Sequence, residues 1–218
     1  MKSIEFTEAE SKTSASKEIR STLRKAGYKL LGSGADATVW AKKSGPVTKI
    51  IMPDDHQGAG SAGDTFMKFY EFCLENQNIS NLPRFSGNEA SVFQADGKDY
   101  IMVTMERLKP IPEGSFEEAM VWQLSDLATK RMTWKQALEI VRDPNEWMTF
   151  DHNSQIIDRI NSMSKKDILE YEVLFKLMTL LYHKGKINKV GWDLHTENAM
   201  MRDDGTIVIT DPWFSLVV

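Results

Sequence analysis

The densest group of chemically capable residues lies near the carboxyl end. Gly191-Trp192-Asp193-Leu194-His195-Thr196-Glu197-Asn198 is followed by Ile209-Thr210-Asp211-Pro212-Trp213. An acid and an amide, Asp193 and Asn198, stand five positions apart on a loop. A second acid, Asp211, comes after two strand-like pieces joined by Asp203-Asp204-Gly205. A hairpin brings its ends together, so Asn198 and Asp211 are expected near each other with Asp193 beside them. Hard cations such as Mg2+ take oxygen ligands, usually one or two carboxylates plus substrate phosphates. The triplet meets that need. The competing reading is that Asp193 and Asn198 only cap turns, as these residue types often do; the intervening hairpin favours the cation.

The elements that must position these residues fall into two halves. The spacing predicts a loose polar leader over 1–15 and a short helix from Ser16 to Lys25, with Ile19, Leu23 and Ala26 on one face and Gly27 as its stop. Three strands follow, Tyr28–Leu31, Thr38–Lys42 and Val47–Met52, divided by Gly32-Ser33-Gly34 and Ser44-Gly45-Pro46. Pro53–Gly63 reads as a loop, and Asp64–Asn76 as a helix with Phe66, Phe69, Tyr70 and Cys73 on one face. Strands Ser91–Gln94 and Tyr100–Met105 flank a turn centred on Asp96-Gly97. Beyond Glu106 the pattern turns helical. Short amphipathic stretches fill 110–165, with Trp122, Trp134 and Trp147 as expected core. The clearest helix is Lys165–His183, with Ile168, Leu169, Val173, Leu177, Leu180 and Leu181 near a 3.6 period and Gly185 as its cap. A closing hairpin runs from Ala199–Arg202 to Thr206–Thr210. The result is an α+β chain with a leader over 1–15, a sheet-bearing lobe over 16–105 and a helical lobe over 106–218.

Composition narrows the function classes. In 218 residues, 41% are hydrophobic and 27% charged, enough apolar material for a core and too much for a disordered chain. The 27 Lys+Arg against 31 Asp+Glu leave a net charge of −4, a poor match to a protein that neutralises nucleic-acid phosphates. The single cysteine, Cys73, cannot form an internal disulfide, which points to a reducing compartment such as the cytoplasm. No stretch resembles a signal peptide or a membrane span, so no membrane partner is expected.

D-L-H-T-E-N followed by I-T-D-P resembles the catalytic and metal-binding loops of the protein-kinase-like superfamily. The D-x-H-x-x-N form is shared with aminoglycoside and choline phosphotransferases and with compact bacteriophage-encoded serine/threonine kinases, and I-T-D-P looks like the phage enzymes. The resemblance spans roughly residues 28–211. It implies a two-lobed fold with a small antiparallel-sheet N-lobe and a reduced, mainly helical C-lobe, using ATP and Mg2+. Asp193 would be the catalytic base, and Asn198 and Asp211 would hold the metal ions bridging the nucleotide phosphates. Gly32 and Gly34 resemble a nucleotide-covering loop, although Ala37 stands at the third family glycine, and Val39 would lie under the adenine. A glycine pair between strands is also the mark of a plain hairpin turn. Lys49 resembles the lysine that grips the α- and β-phosphates; the alternative is a lysine on the solvent side of a strand. Glu71 would be its ion-pair partner, with Glu75 the alternative and an ordinary (i, i+4) set with Lys68 the rival. Backbone groups of Glu106 and Leu108 would meet the adenine edge at a hinge. His195 would steady the loop through hydrogen bonds or reach a phosphate.

The departures matter as well. Gly191-Trp192 stands where protein kinases carry His-Arg, and Pro212-Trp213 replaces the Phe-Gly of Asp-Phe-Gly. The few residues after Asp211 leave no activation segment or late helices to hold a peptide, and the tail from Phe214 is expected to pack on the helical half. Three functions compete: a phage-type kinase acting on host protein hydroxyls in the host cytoplasm, a small-molecule phosphotransferase, and a kinase-like module that only grips a partner. For the second, Glu113, Glu117, Glu118 and Asp126 could build an acidic pocket, or serve as solvated helix faces.

Overall fold

The structure is a computed structural model and describes residues 17–34, 37–51, 62–87, 89–95, 97–143 and 153–216. Expectations for the leader, for Ala35 and Asp36, for Met52 and 53–61, and for Asp96, Trp147, Val217 and Val218 lie outside the described residues. The chain is α+β and forms two compact units. One comprises residues 1–63 and 85–107, the other 64–84 and 108–218. The division by packing thus differs from the division by chain order: residues 64–84 pack with the helical half.

The first unit is a five-stranded antiparallel sheet with one helix. Helix α1 (Lys17–Lys25) ends at Gly27, whose φ of +83° only glycine adopts without strain. Strands β1 (Lys29–Ser33), β2 (Ala37–Ala41), β3 (Val47–Ile51), β4 (Ser91–Ala95) and β5 (Lys98–Met105) lie in the order β1-β2-β3-β5-β4. The strands sit within one or two residues of their predicted bounds. Leu30, Trp40, Ile50, Met102 and Tyr100 face one side of the sheet and pack with Ile19 and Leu23 of α1. The amphipathic α1 therefore covers that face. Ile51, on the opposite face, is also buried, which explains why β3 does not alternate cleanly in sequence.

The second unit begins at Asp64, within α2 (Ala62–Glu75). Ala62 and Gly63, expected in the preceding loop, already belong to this helix. Phe66, Phe69, Tyr70 and Cys73 are all buried, as the spacing predicts. Phe69 and Phe72 meet Trp213 edge-on at 5.8 and 6.5 Å. Where the sequence offers only unplaced amphipathic stretches, the chain forms α3 (Phe116–Ala128), α4 (Trp134–Val141) and α5 (Asn153–Asn161), preceded by the short strand β6 (Lys109–Pro110). Helix α4 opens on a reciprocal capping box between Thr133 and Gln136.

Three expectations are corrected here. Trp122 is 46% exposed rather than core, because α3 buries Met120, Val121, Leu124 and Ala128 and turns Trp122 outward. Helix α6 (Lys165–Ile187) runs through Gly185 instead of stopping there, since the Gly185 site is filled by the Trp213 indole and the helix ends later at Asn188. Its buried stripe is Leu174, Phe175, Leu177, Met178 and Leu181, whereas Leu169, Val173 and Leu180, which mark the 3.6 period in the sequence, are 58%, 40% and 46% exposed. The helix is apolar on two sides, so periodicity alone did not choose between them.

Two small sheets close the fold. Strands β8 (Ala199–Met201) and β9 (Ile207–Ile209) form the predicted hairpin, with β6 along β8. Strand β7 (Gly191–Trp192) pairs with β10 (Trp213–Phe214), aligning Trp192 with Trp213. Trp213 is buried and donates from its indole nitrogen to the Leu181 carbonyl at 3.0 Å, which ties the chain after Asp211 to α6. No helix among the described residues is long and apolar enough to cross a membrane.

Candidate active site

The loop between β7 and β8 is built around Asn198. Its side-chain amide donates to the Asp193 carbonyl at 2.6 Å and to Asp193 Oδ2 at 3.3 Å. Its backbone N–H donates to the His195 carbonyl at 3.0 Å, and its own carbonyl accepts from Thr210 N at 2.9 Å. Asp193 N in turn donates to the Pro212 carbonyl at 2.9 Å. Asp211 is therefore bracketed: the residue before it is bonded to Asn198 and the residue after it to Asp193. The hairpin register, Ala199 opposite Ile209, delivers the same convergence from below. Asp193, Asn198 and Asp211 are all half-buried, within reach of both solvent and protein dipoles.

His195 caps the 3-10 turn Thr196–Asn198. Its Nδ1 accepts from Glu197 N at 3.3 Å, and its Nε2 lies 3.7 Å from Asp193 Oδ2. The imidazole thus braces the loop beside the acid.

Residues that the sequence did not single out hold this loop from beneath. Ser125, buried within α3, donates to the Leu194 carbonyl at 2.8 Å and accepts from the Trp192 indole at 3.2 Å. Asn81, buried after α2, donates to the Ile207 carbonyl at 2.8 Å, and its carbonyl accepts from Ile209 N at 2.9 Å. Arg202 donates to the carbonyls of Ser80 and Leu82. A polar residue in an apolar helix face, as at Ser125, was the one available sequence signal; the partners lie 69 and 67 positions away.

The donor set suits a hard cation. Carboxylates at Asp193 and Asp211 and an amide at Asn198 are oxygen ligands of the Mg2+ type. Among the described residues, no group of three His, Cys, Asp or Glu side chains forms a closed metal cage. Two protein oxygens completed by phosphate oxygens is the arrangement such a set would serve. Burial, with the charge of Asp211 adding to it, pushes the Cys73 thiol up, so α2 feels that carboxylate.

In the sheet unit, register places Gly32 opposite Val39, Val39 opposite Lys49, and Lys49 opposite Val103. Cross-strand partners share a face, so Gly32, Val39 and Lys49 form one row away from the α1 side. Lys49 is half-buried, flanked along β3 by buried Thr48 and Ile50. Gly34 N–H donates to the Ala37 carbonyl at 2.9 Å, which closes the β1–β2 turn with that donor. Glu71 and Glu75 are exposed on α2, in the other unit from Lys49, and Lys68 pairs with Asp64 at 2.7 Å instead of with either. The chain passes between the two units at Arg107 and Leu108, beside Glu106. Arg107 anchors that crossing by donating to the Lys42 and Lys43 carbonyls at 2.6 and 3.3 Å.

Of the acids considered for a substrate pocket, Glu118 accepts from Gly114 N at 2.5 Å in capping α3, and Asp126 pairs with Lys130 at 2.6 Å on the surface. Glu117 lines a cavity of about 590 Å3 with Phe116, Arg159, Tyr171 and Asp204. That cavity borders the Asp204–Thr206 turn, the end of the β8–β9 hairpin away from Asn198 and Asp211.

No protein-family model matches the sequence, and no curated protein matches it. Among solved structures, the chain is similar to an aminoglycoside phosphotransferase from Alicyclobacillus acidocaldarius, with 12% identity and a TM-score of 0.40 over 94% of this chain and 68% of that one. It is also similar to APH(2'')-IIa in a ternary complex with streptomycin and ATP, at 14% identity and a TM-score of 0.35 over 93% and 73%. A third is the spectinomycin phosphotransferase APH(9)-Ia with ADP and spectinomycin, at 14% identity and a TM-score of 0.36 over 86% and 64%.

Proposed function

We propose that the protein is an ATP-dependent, magnesium-requiring phosphotransferase that passes the γ-phosphoryl group of ATP to a hydroxyl. The observation that carries the reading is the bonding of Asn198 to Asp193 while Thr210 and Pro212 bracket Asp211. Phosphoryl transfer asks little covalent chemistry of the protein; it asks for an oriented nucleophile and cations where charge accumulates. In this reading Asp193 takes the hydroxyl proton as the oxygen–phosphorus bond forms and the bond to ADP breaks. Asn198 and Asp211 hold the magnesium, which supplies charge neutralisation at the phosphates. The row Gly32, Val39 and Lys49 receives the nucleotide, with Glu106 and Leu108 at the adenine edge.

For the acceptor we favour a protein serine or threonine, as in the phage-type kinases that the sequence resembles, acting in the host cytoplasm. Support comes from the resemblance of I-T-D-P to those enzymes, and from Glu118 and Asp126, which are engaged in a cap and a surface pair. The test is incubation with γ-labelled ATP, Mg2+ and cell lysate. Labelled protein bands are expected. A labelled metabolite instead would assign a small-molecule acceptor, and nucleotide binding without transfer would make the protein a kinase-like binding module.

A further inference from the structure

The side of α6 turned away from the core carries a second apolar seam. Leu169, Val173, Leu180 and Ile187 are 58%, 40%, 46% and 75% exposed. With Lys176 and His183 they repeat at alternating spacings of four and three residues, the a and d positions of a heptad. This seam lies across the helix from the buried stripe Leu174, Met178, Leu181 and Gly185. An ordinary surface helix is polar there.

The charges that flank the seam are segregated along the helix. Glu170 and Glu172 stand on its two edges in the amino-terminal half, and Lys184 and Lys186 on the same two edges in the carboxyl-terminal half. A parallel neighbour of the same sequence, in which flanking residues meet five positions apart, would set Glu172 against Leu177 and Lys184 against Thr179 and leave three of these four charges without an opposite. An antiparallel one sets Glu170 against Lys184 of a second copy and Glu172 against Lys186. The same register layers Leu169 on Ile187, Val173 on His183 and Lys176 on Leu180, so one alignment satisfies the apolar and the charged positions together. Lys176 is exposed and already paired with Glu172 at 2.6 Å, and its methylene stem can lie along the seam with the ammonium at the rim.

We propose that a second copy of this chain covers the seam, giving a two-fold symmetric dimer in which the α6 helices pack antiparallel. The partner surface is then self-complementary, as a closed two-fold interface requires.

Analytical ultracentrifugation of the full chain over a dilution series tests this at low and at high salt. A dimer that weakens with salt is expected, because the flanking pairs are exposed. Leu180→Lys should raise the dissociation constant on the order of a hundredfold, since it sets a second ammonium against Lys176 of the other copy at the seam. The charge reversals Glu170→Lys with Glu172→Lys, or Lys184→Glu with Lys186→Glu, should each weaken the dimer about tenfold or more. All four together should restore it. A merely damaged fold would not be restored by adding more substitutions. A wild-type chain that stays monomeric, a dimer indifferent to Leu180→Lys, or a fourfold variant that fails to recover would each overturn the proposal.

Discussion

Asn198 spends its side-chain amide on Asp193, reaching the backbone carbonyl at 2.6 Å and the carboxylate at 3.3 Å. The amide group therefore points its NH2 into the loop and leaves its carbonyl oxygen for the proposed cation. Asn198→Ala removes both bonds and the ligand. We expect a stability loss of about 1–2 kcal/mol in urea unfolding. The Mg2+ concentration for half-maximal rate should rise in the same variant. A variant that unfolds earlier but needs no more Mg2+ would leave Asn198 a loop brace alone.

Asp193→Asn keeps the size of the side chain and removes its basicity. Turnover is expected to fall about a hundredfold to ten-thousandfold, the range for losing a general base. Nucleotide binding should survive, so Mg·ATP should still raise the melting temperature by mass action. Unchanged turnover would end the assignment of Asp193 as the base.

Much of this site was legible because its spacing is short and its turn chemistry strong. Asp193, Asn198 and Asp211 are joined by one hairpin, and Asp204-Gly205 marks the turn: Gly205 has a φ of +89° and Asp204 accepts from Thr206 N at 3.0 Å. The row of Gly32, Val39 and Lys49 follows from three adjacent strands with clear turn glycines. What escaped was set by long-range packing. The sequence of α6 is apolar on two sides, and the choice of the Leu174 side depends on Trp213, 32 positions beyond Leu181 and invisible to a local window. Trp122 was misplaced for the same reason: an aromatic adds large apolar area but does not say which side of α3 faces inward. Ser125 and Asn81 matter through bonds to carbonyls far along the chain, and no local pattern announces such a bond.

Ser125 joins the two residues on either side of Asp193, accepting from Trp192 and donating to Leu194. Ser125→Ala leaves a buried carbonyl and an indole N–H without that partner, at a cost of about 1–3 kcal/mol. Because the loop holding Asp193 is loosened, kcat should fall more than KM rises. A pH–rate profile separates the roles: a positioning residue lowers the plateau and leaves its shape intact. An equal change in KM with no change in kcat would deny the positioning role.

Gly185 tests whether the Trp213 anchor is tight. A Cβ at this position would sit 2.8 Å from Trp213 Nε1 and 3.1 Å from Cδ1, inside contact distance. Trp213 cannot retreat freely, since it is buried and bonded to the Leu181 carbonyl. In an exposed helix interior, Gly→Ala gains about 1 kcal/mol; here overpacking of about 1–3 kcal/mol opposes it. Gly185→Ala should therefore destabilise, and it should lower turnover by shifting Pro212, whose carbonyl holds Asp193. A gain in melting temperature would mean that the indole has room to move.

Cys73 gives a pH signature that reports on Asp211. The thiol is 1% exposed on α2, and burial first, then the Asp211 charge, raise its pKa far above the ordinary 9.0. In the unfolded chain the thiol ionises near 9, while in the folded chain it keeps its proton. Between these limits the folded state binds more protons, so stability present below pH 9 declines as pH rises beyond it. Tyr171, also raised by burial, adds its own loss only above the ordinary tyrosine value of 10.0. Urea unfolding between pH 8 and 10 should thus show stability declining with pH, and Cys73→Ala should flatten that slope about the lower part of the range. Asp211→Asn removes the second cause and should speed alkylation of Cys73 at pH 9, measured against the unfolded chain. If the native thiol reacts at neutral pH as fast as the unfolded one, α2 does not seal it against the Asp211 loop.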